Sequence, residues 1–267
     1  MLENRYYRIT LDAESGAVKS IWDKELNQEL VKASSPYRFD QYLYVTGGDE
    51  PASRVQGFGF STPLPKLDIH AASGGRLLSV TKEPFGTVAR LESSALNTPH
   101  VSTEIILFDS QKKILFTNRV HKTSVLSKEA VYFSFPFAID HPQFRYDLQS
   151  GFIDPAHDQM PGAGKEWFSV QHWVEAKEGG VSVAIVPVDA PLVTLGDIVR
   201  GSWPKDFTER SGDIFSYVMN NYYFTNWPAA QGGDFTFRYV LTSDRDLSPA
   251  SLSQFARAEM APPYQAI

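Results

Sequence analysis

Short extended segments separated by turn residues run along most of the chain, and this pattern constrains the fold more than any other feature. In the opening stretch LENRYYRITLDAESGAVKSIWDKELNQELV, Tyr7, Ile9 and Leu11 alternate with polar residues, and residues 12–16 supply a turn. The stretch EIILFDSQKKILFTNRV repeats the arrangement, with a turn over residues 109–113. A side-chain period of two indicates strands that bury one face. The chain is therefore predicted to be all-β.

The remaining elements follow from the same pattern. We predict strands near residues 5–11, 18–23, 37–44, 66–72, 76–81, 87–93, 101–108, 114–121, 130–139, 168–175, 181–187, 214–219 and 234–242. Long loops are predicted over 47–65 and 143–165, and a helix begins after Ser248, which caps it ahead of Pro249. The predicted architecture is one large antiparallel β-sandwich over residues 1–267, with a short C-terminal helix and tail over 248–267.

Charge and composition exclude several classes of partner. The net charge is −6, from 25 Lys and Arg against 31 Asp and Glu, and no basic stripe is present. This balance argues against nucleic acid and against anionic membrane surfaces. Apolar runs such as 181–188 are too short to cross a bilayer. The chain has no cysteine, which excludes disulfides and thiolate metal sites. The absence of cysteine and of a leader sequence favours a cytoplasmic location. The absence of cysteine also fits a bacterial source.

Sequence motifs for catalysis or metal binding are few. None of the six histidines stands in a His-x-Asp, His-x-His or His-Glu-x-x-His spacing, so no local metal motif is present. The loop GFIDPAHDQMPGAGKEW gathers Asp154, His157, Asp158 and Glu166. A histidine beside carboxylates suits general acid–base chemistry, whereas Asp-Pro and His-Asp pairs also form ordinary turns. The sequence leaves both interpretations open.

Three ordered groups of segments resemble a known family. They are the opening stretch; KEAVYFSFPFAID at 128–140 with YDLQSGFIDPAHDQMPGAGKEWFSVQHWV at 146–174; and VDAPLVTLGD at 188–197 with MNNYYFTNWPAAQGGDFTFRYVLTS at 219–243. In this order they resemble the C-terminal β-sandwich region of glycoside hydrolase family 38, the α-mannosidases. The resemblance implies a galactose mutarotase-like supersandwich packed behind a catalytic α/β barrel.

The same resemblance implies that catalysis belongs to a different domain. The barrel of the family carries the zinc site and the nucleophilic aspartate, and nothing in this chain matches those parts. We therefore expect no cofactor and no catalytic residue in this chain, with zinc in the missing catalytic domain. Since the chain opens directly on a strand, we also expect it to be a domain excised from a larger hydrolase. Its expected partners are that barrel and a mannoside-type glycan.

Candidate sugar contacts come from the segment NNYYFTNW at 220–227, which the resemblance matches to a stretch lining the substrate cleft in the family. Amides bond vicinal hydroxyls and aromatic rings cover the apolar face of a sugar, so Asn221, Tyr223, Asn226 and Trp227 are the leading candidates. Gln159 is a second candidate, at the edge of a Met-Pro-Gly turn. Each has a structural alternative: the asparagines bond loop backbone, the aromatic rings fill the core, and turn geometry alone accounts for Gln159.

Three functional hypotheses remain at this point. The first is an accessory domain of an α-mannosidase-like hydrolase, which predicts an exposed apolar docking patch and no mannosidase activity from the chain alone. The second is a free-standing carbohydrate-binding module. The third is a mutarotase-like aldose epimerase, which requires His157 or His172 to face Glu166 or Glu175 across a cleft.

Overall fold

The computed structural model describes residues 1–47, 66–198, 204, 206–208, 211–222 and 229–261. Most of these residues are in strands, and the described part contains one helix, α1 (Pro249–Met260). The strands are β1 (Leu2–Glu3), β2 (Tyr7–Asp12), β3 (Ala17–Asp23), β4 (Gln28–Glu29), β5 (Gln41–Gly47), β6 (Leu67–Ala71), β7 (Ser73–Glu83), β8 (Gly86–Ala95), β9 (Thr98–Phe108), β10 (Ile114–Lys122), β11 (Ala130–Pro136), β12 (Gln143–Leu148), β13 (Gly151–Ile153), β14 (Phe168–Ser169), β15 (Val174–Glu178), β16 (Val181–Pro187), β17 (Leu192–Leu195), β18 (Asp213–Asn220) and β19 (Gly233–Asp244).

These strands form three antiparallel sheets. The largest has nine strands in the order β13-β12-β15-β16-β19-β10-β9-β8-β7, and the second has six in the order β14-β17-β18-β11-β5-β6. A small sheet of four strands, β1-β2-β3-β4, completes the set. The predicted fold class, an all-β antiparallel sandwich with one short C-terminal helix, is confirmed.

Aromatic side chains fill the space between the two large sheets. Phe133 and Phe135 of β11 contact Tyr239 of β19, with ring centroids 5.5 and 4.8 Å apart. The Tyr239 hydroxyl donates to Ser216 Oγ of the six-stranded sheet at 3.0 Å, which satisfies its polar atom inside the core. Tyr7 of the small sheet is fully buried and bonds Ser243 Oγ of β19 at 2.9 Å. One continuous cluster of buried side chains therefore contacts all three sheets.

The outer faces of the two large sheets differ in chemistry. On the nine-stranded sheet, α1 packs Leu252 and Ala256 against Trp173, while exposed ion pairs such as Arg90–Glu104 cover another part of the face. The outer face of the six-stranded sheet is apolar. Its cluster comprises Leu43, Val45, Ala130, Tyr132, Ile198, Phe215 and Tyr217, with Tyr37, Leu67, Ile69, Ala71, Trp167, Leu192 and Tyr222 packed against it.

Two predicted elements differ from the structure. The strand predicted over 168–175 is divided into β14 and β15, because Asp147 accepts the backbone N–H groups of His172 (2.7 Å) and Trp173 (2.9 Å) and thereby forms a turn. The loop predicted over 143–165 contains β12 and β13. The loop predicted over 47–65 lies outside the described residues, except for its first residue.

Candidate functional site

Both ends of segment 221–231 are held by the connection between β10 and β11. At the first end, Asn221 N donates to Glu129 O at 2.8 Å, and Asn221 Nδ2 donates to the carbonyls of Val125 (3.2 Å) and Ser127 (2.9 Å). At the second end, the carbonyl of Gln231 accepts a hydrogen bond of 2.8 Å from the amine of Lys122. We call residues 122–129 the connecting clamp. It fixes where segment 221–231 leaves β18 and where it returns to β19.

A buried polar network joins the two ends of the connecting clamp to Tyr44 of β5 and to Asn97. Lys122 Nζ donates to Glu129 Oε1, and the two side chains are only 0% and 2% exposed. Tyr44 donates its hydroxyl to Glu129 Oε2, and Asn97 Nδ2 donates to the Tyr44 oxygen at 2.8 Å. Burial raises the pKa of Tyr44, and the neighbouring Glu129 raises it further, so the phenol stays a neutral donor. Sequence analysis missed this network, because Lys122 and Glu129 look like ordinary charged residues near a strand end.

The predicted sugar-contact residues fall partly in this region. Asn221 is 4% exposed, and both of its amide hydrogen bonds go to carbonyls of the connecting clamp. This is the backbone-bonding role that sequence analysis left open, and a sugar contact by Asn221 stays a prediction. Tyr223, Asn226 and Trp227 lie outside the described residues. Their role also stays a prediction.

The loop after β13 uses its carboxylates to build its own turns. Asp158 Oδ2 accepts the N–H of Asp154 at 2.7 Å, and Asp154 Oδ1 accepts the N–H of Ala156 at 2.8 Å. Further along the loop, Gln159 Oε1 accepts a hydrogen bond from Lys165 Nζ. These contacts favour the turn-forming interpretation of the loop. A sugar contact by Gln159 remains a prediction.

Of the histidine and glutamate residues that an epimerase would require, His172 and Glu175 have described side-chain partners. His172 Nδ1 lies 2.6 Å from Asp147 Oδ2. Glu175 is instead held by the guanidinium of Arg145, through Nε at 2.6 Å and Nη2 at 2.9 Å. His172 and Glu175 thus have different partners, both on strand β12, so their predicted pairing is wrong. Pairs that involve His157 or Glu166 stay predictions.

Comparison with known families gives a match over most of the chain. The model of the glycosyl hydrolases family 38 C-terminal domain matches residues 2–189. The chain belongs to this family. A comparison with curated protein sequences gives no significant match.

Solved structures similar to this family 38 domain share its fold at low sequence identity. An α-mannosidase from Enterococcus faecalis V583 is 12% identical with a TM-score of 0.64, covering 97% of this chain and 31% of that protein. A glycosyl hydrolase family 38 protein from Enterococcus faecalis is 11% identical with a TM-score of 0.61, covering 97% of this chain and 32% of the other. A TPR-domain containing protein from Parabacteroides distasonis is 14% identical with a TM-score of 0.52, covering 94% of this chain and 48% of the other. The chain thus spans about a third of the two family 38 structures.

Two further features of the family 38 domain concern metal binding and membrane-spanning helices. Within the described ranges, no group of three or more histidine, aspartate or glutamate side chains is arranged to hold a metal ion. The zinc that the family resemblance implies therefore has no fitting ligand set among these residues. In the described part of the chain, no helix is long and apolar enough to cross a membrane.

Proposed function

We propose that this chain is the accessory C-terminal domain of an α-mannosidase-like glycoside hydrolase. In this proposal residues 1–267 form one domain of a longer polypeptide, which packs against a catalytic α/β barrel and contributes to binding of a mannoside-type glycan. The family assignment supports the proposal. The chain also spans only about a third of the length of two family 38 structures, which supports it as well. Zinc and the bond-breaking carboxylates belong, in this proposal, to the barrel.

The attachment of segment 221–231 is the observation that carries the carbohydrate part of the proposal. The connecting clamp holds the segment at Asn221 and at Gln231, so the residues between them start and end at fixed points. Binding sites benefit when their contact residues are held in position before the ligand arrives, because less conformational freedom is lost on binding. Tyr223, Asn226 and Trp227 lie within this interval and are the proposed sugar contacts.

Activity of the chain with and without its parent polypeptide tests the proposal. The purified chain should not hydrolyse 4-nitrophenyl α-mannopyranoside, with or without added zinc, whereas the polypeptide encoded by the intact gene should hydrolyse it. Hydrolysis by the pure chain would refute the accessory role. An intact gene that encodes no further domain would favour a free-standing module.

The contribution to binding is tested in the intact polypeptide. Trp227→Ala and Tyr223→Ala should raise KM more than they lower kcat, because a cleft-wall contact holds the substrate without touching the reacting bond. Phe85→Ala is the matched control, since Phe85 is a 48% exposed aromatic residue outside segment 221–231. Equal KM values for all three variants and the wild type would overturn the assignment of the segment.

A further inference from the structure

Strand β7, the last strand of the nine-stranded sheet, carries three exposed apolar side chains. Leu77, Leu78 and Val80 are 42%, 50% and 44% exposed. Leu77 is paired with Leu91 of β8 and Val80 with Ala89, and both partners are fully buried in the core. Directly opposed residues of neighbouring strands share one face of a sheet, so Leu77 and Val80 lie on the core-facing side. This side is therefore buried at β8 and open at β7.

The other layers of the fold cover β8 and only the start of β7. Strand β1 of the small sheet and strand β5 of the six-stranded sheet lie against β8. The start of β7 contacts the turn after β2, where Gly75 N donates to Glu14 O at 2.8 Å. Leu77, Leu78 and Val80 follow and remain exposed, and we call them the β7 patch. Contiguous exposed apolar side chains mark surfaces that contact another protein or domain.

Phe85 is exposed to a similar degree but belongs to the other face of the sheet. Its ring lies against that of Phe108, with centroids 6.1 Å apart. Phe108 follows the core residue Leu107, so alternation places its side chain on the outer face. There Lys113 lies over the Phe108 ring and pairs with Glu259 of α1. Phe85 therefore lies outside the β7 patch and serves as a comparison for it.

The first residues of the chain lie next to the β7 patch. Leu2 of β1 is buried in the core cluster that includes Leu91 of β8, and β1 lies against β8. Asn4 Nδ2 donates to Phe108 O at 2.6 Å, which fixes this part of the chain against β9. Residue 1 is therefore close to the strand that neighbours β7. The matching family model is that of a C-terminal domain, so in the proposed function the rest of the polypeptide precedes residue 1.

We propose that the β7 patch is the surface on which the catalytic domain, the part of the polypeptide that precedes residue 1, docks through an apolar surface of its own. This inference rests on the proposed function, which supplies the preceding domain without saying which surface it contacts. A domain joined at residue 1 is held near the patch at high effective concentration, so a small apolar contact suffices. Docking would bury Leu77 and Val80 as their partners on β8 are buried, and it would cover the edge of β7.

Hydroxyl-radical footprinting of the purified chain and of the intact polypeptide tests this docking, because side-chain oxidation requires access to solvent. Oxidation of Leu77 and Leu78 should slow at least fivefold in the intact polypeptide, whereas that of Phe85 should change less than twofold. The double variant Leu77→Lys/Val80→Lys should restore the oxidation of Leu78 in the intact polypeptide to the rate in the purified chain. Phe85→Lys is the matched control and should leave Leu78 protected.

Thermal unfolding of the purified chain checks that both variants fold, and the wild-type comparison decides alone if the double variant does not. Unchanged oxidation of Leu77 and Leu78 in an intact polypeptide that hydrolyses 4-nitrophenyl α-mannopyranoside would overturn the docking surface and leave the proposed function intact. Equal protection of Phe85 would also overturn it, since the contact would then include the outer face.

Light scattering of the purified chain tests a second copy as the occupant. A dimer in which Leu77 and Leu78 are already protected would assign the β7 patch to that copy and overturn the docking proposal. An intact gene that encodes no further domain would refute the proposed function and this inference together.

Discussion

Lys122 and Glu129 form an ion pair in which neither side chain is more than 2% exposed. Lys122 Nζ also donates to the carbonyls of Thr123 (3.1 Å) and Gln231 (2.8 Å), so its hydrogen-bonding capacity is filled inside the protein. Desolvating two charges is costly, and a buried pair is therefore weak evidence for net stability. The pair has a geometric role instead: it joins β10 to the start of β11 and, through Lys122, to the end of segment 221–231.

Replacing Lys122 with methionine should destabilise the protein strongly. The change leaves the Glu129 carboxylate buried without its cation, a loss of about 3–5 kcal/mol in comparable buried pairs. Urea unfolding of the purified chain measures the effect. The double variant Lys122→Met/Glu129→Leu should recover much of the loss, since it removes the unpaired charge as well.

Lys82→Met is the matched control for this experiment. Lys82 pairs with Asp109 at the surface, where the two side chains are 61% and 43% exposed. Exposed pairs contribute at most about 1 kcal/mol. A loss in Lys122→Met no larger than that in Lys82→Met would contradict the importance of the buried pair.

Gly232 should not tolerate a side chain, because it lies against the connecting clamp. A Cβ atom at Gly232 would be 2.5 Å from Ser124 N and 2.7 Å from Ser124 Cα, closer than non-bonded atoms approach. Gly232→Ala should therefore cost about 1–3 kcal/mol as an overpacking substitution, measured by urea unfolding. Gly164→Ala is the control, since a Cβ there meets nothing within 4 Å. Similar stabilities of the two variants would show that Ser124 moves aside freely.

Ser248→Ala should loosen the start of α1. Ser248 Oγ accepts the N–H of Ser251 at 3.1 Å, and loss of such an N-cap costs about 0.5–2 kcal/mol. Ser248→Asp should retain most of the stability, because a carboxylate accepts the same N–H and suits the positive end of the helix dipole. Thermal unfolding distinguishes the two variants. Equal losses in both would contradict a capping role of the residue 248 side chain.

Much of the fold was predictable because it depends on local alternation. The hairpin of β9 and β10 turns over 109–113 as predicted, since hydrophobic runs and a polar turn specify it without distant partners. Strand β12 escaped prediction although Phe144, Tyr146 and Leu148 alternate with Gln143, Arg145 and Asp147 in the period of a strand. The strand is six residues long and borders the turn-rich residues 149–165, so the two together resembled one long loop.

The candidate site was less predictable for a related reason. The segment 220–227 was found through family resemblance, whereas the residues that hold the ends of segment 221–231 carry no sequence signal. Lys122 bonds Gln231 across 109 positions, and nothing local indicates that either Lys122 or Glu129 is buried. Burial of a charged residue is a property of the assembled sheets, so it becomes visible only in the structure.

Asp40 should make stability depend on pH in a direction opposite to that of most carboxylates. Its side chain is 1% exposed; Oδ1 accepts from Asn118 Nδ2 at 2.8 Å, and Oδ2 has no partner. Burial raises the pKa of Asp40 well above its ordinary value, and the Asn118 hydrogen bond opposes this only in part. Its stabilising contribution is therefore complete below the unfolded pKa and is lost as the pH rises through the folded value.

Asp40→Asn should remove this dependence, because the amide is neutral throughout. The φ angle of 62° at Asp40 is one that asparagine also adopts, and the amide oxygen still accepts from Asn118. Between pH 4 and pH 8, the urea midpoint of the variant should increase relative to that of the wild type as the pH rises. Asp68→Asn, at an exposed position, should follow the wild type across this range. A difference between Asp40→Asn and the wild type that stays constant with pH would mean that Asp40 does not change protonation on folding.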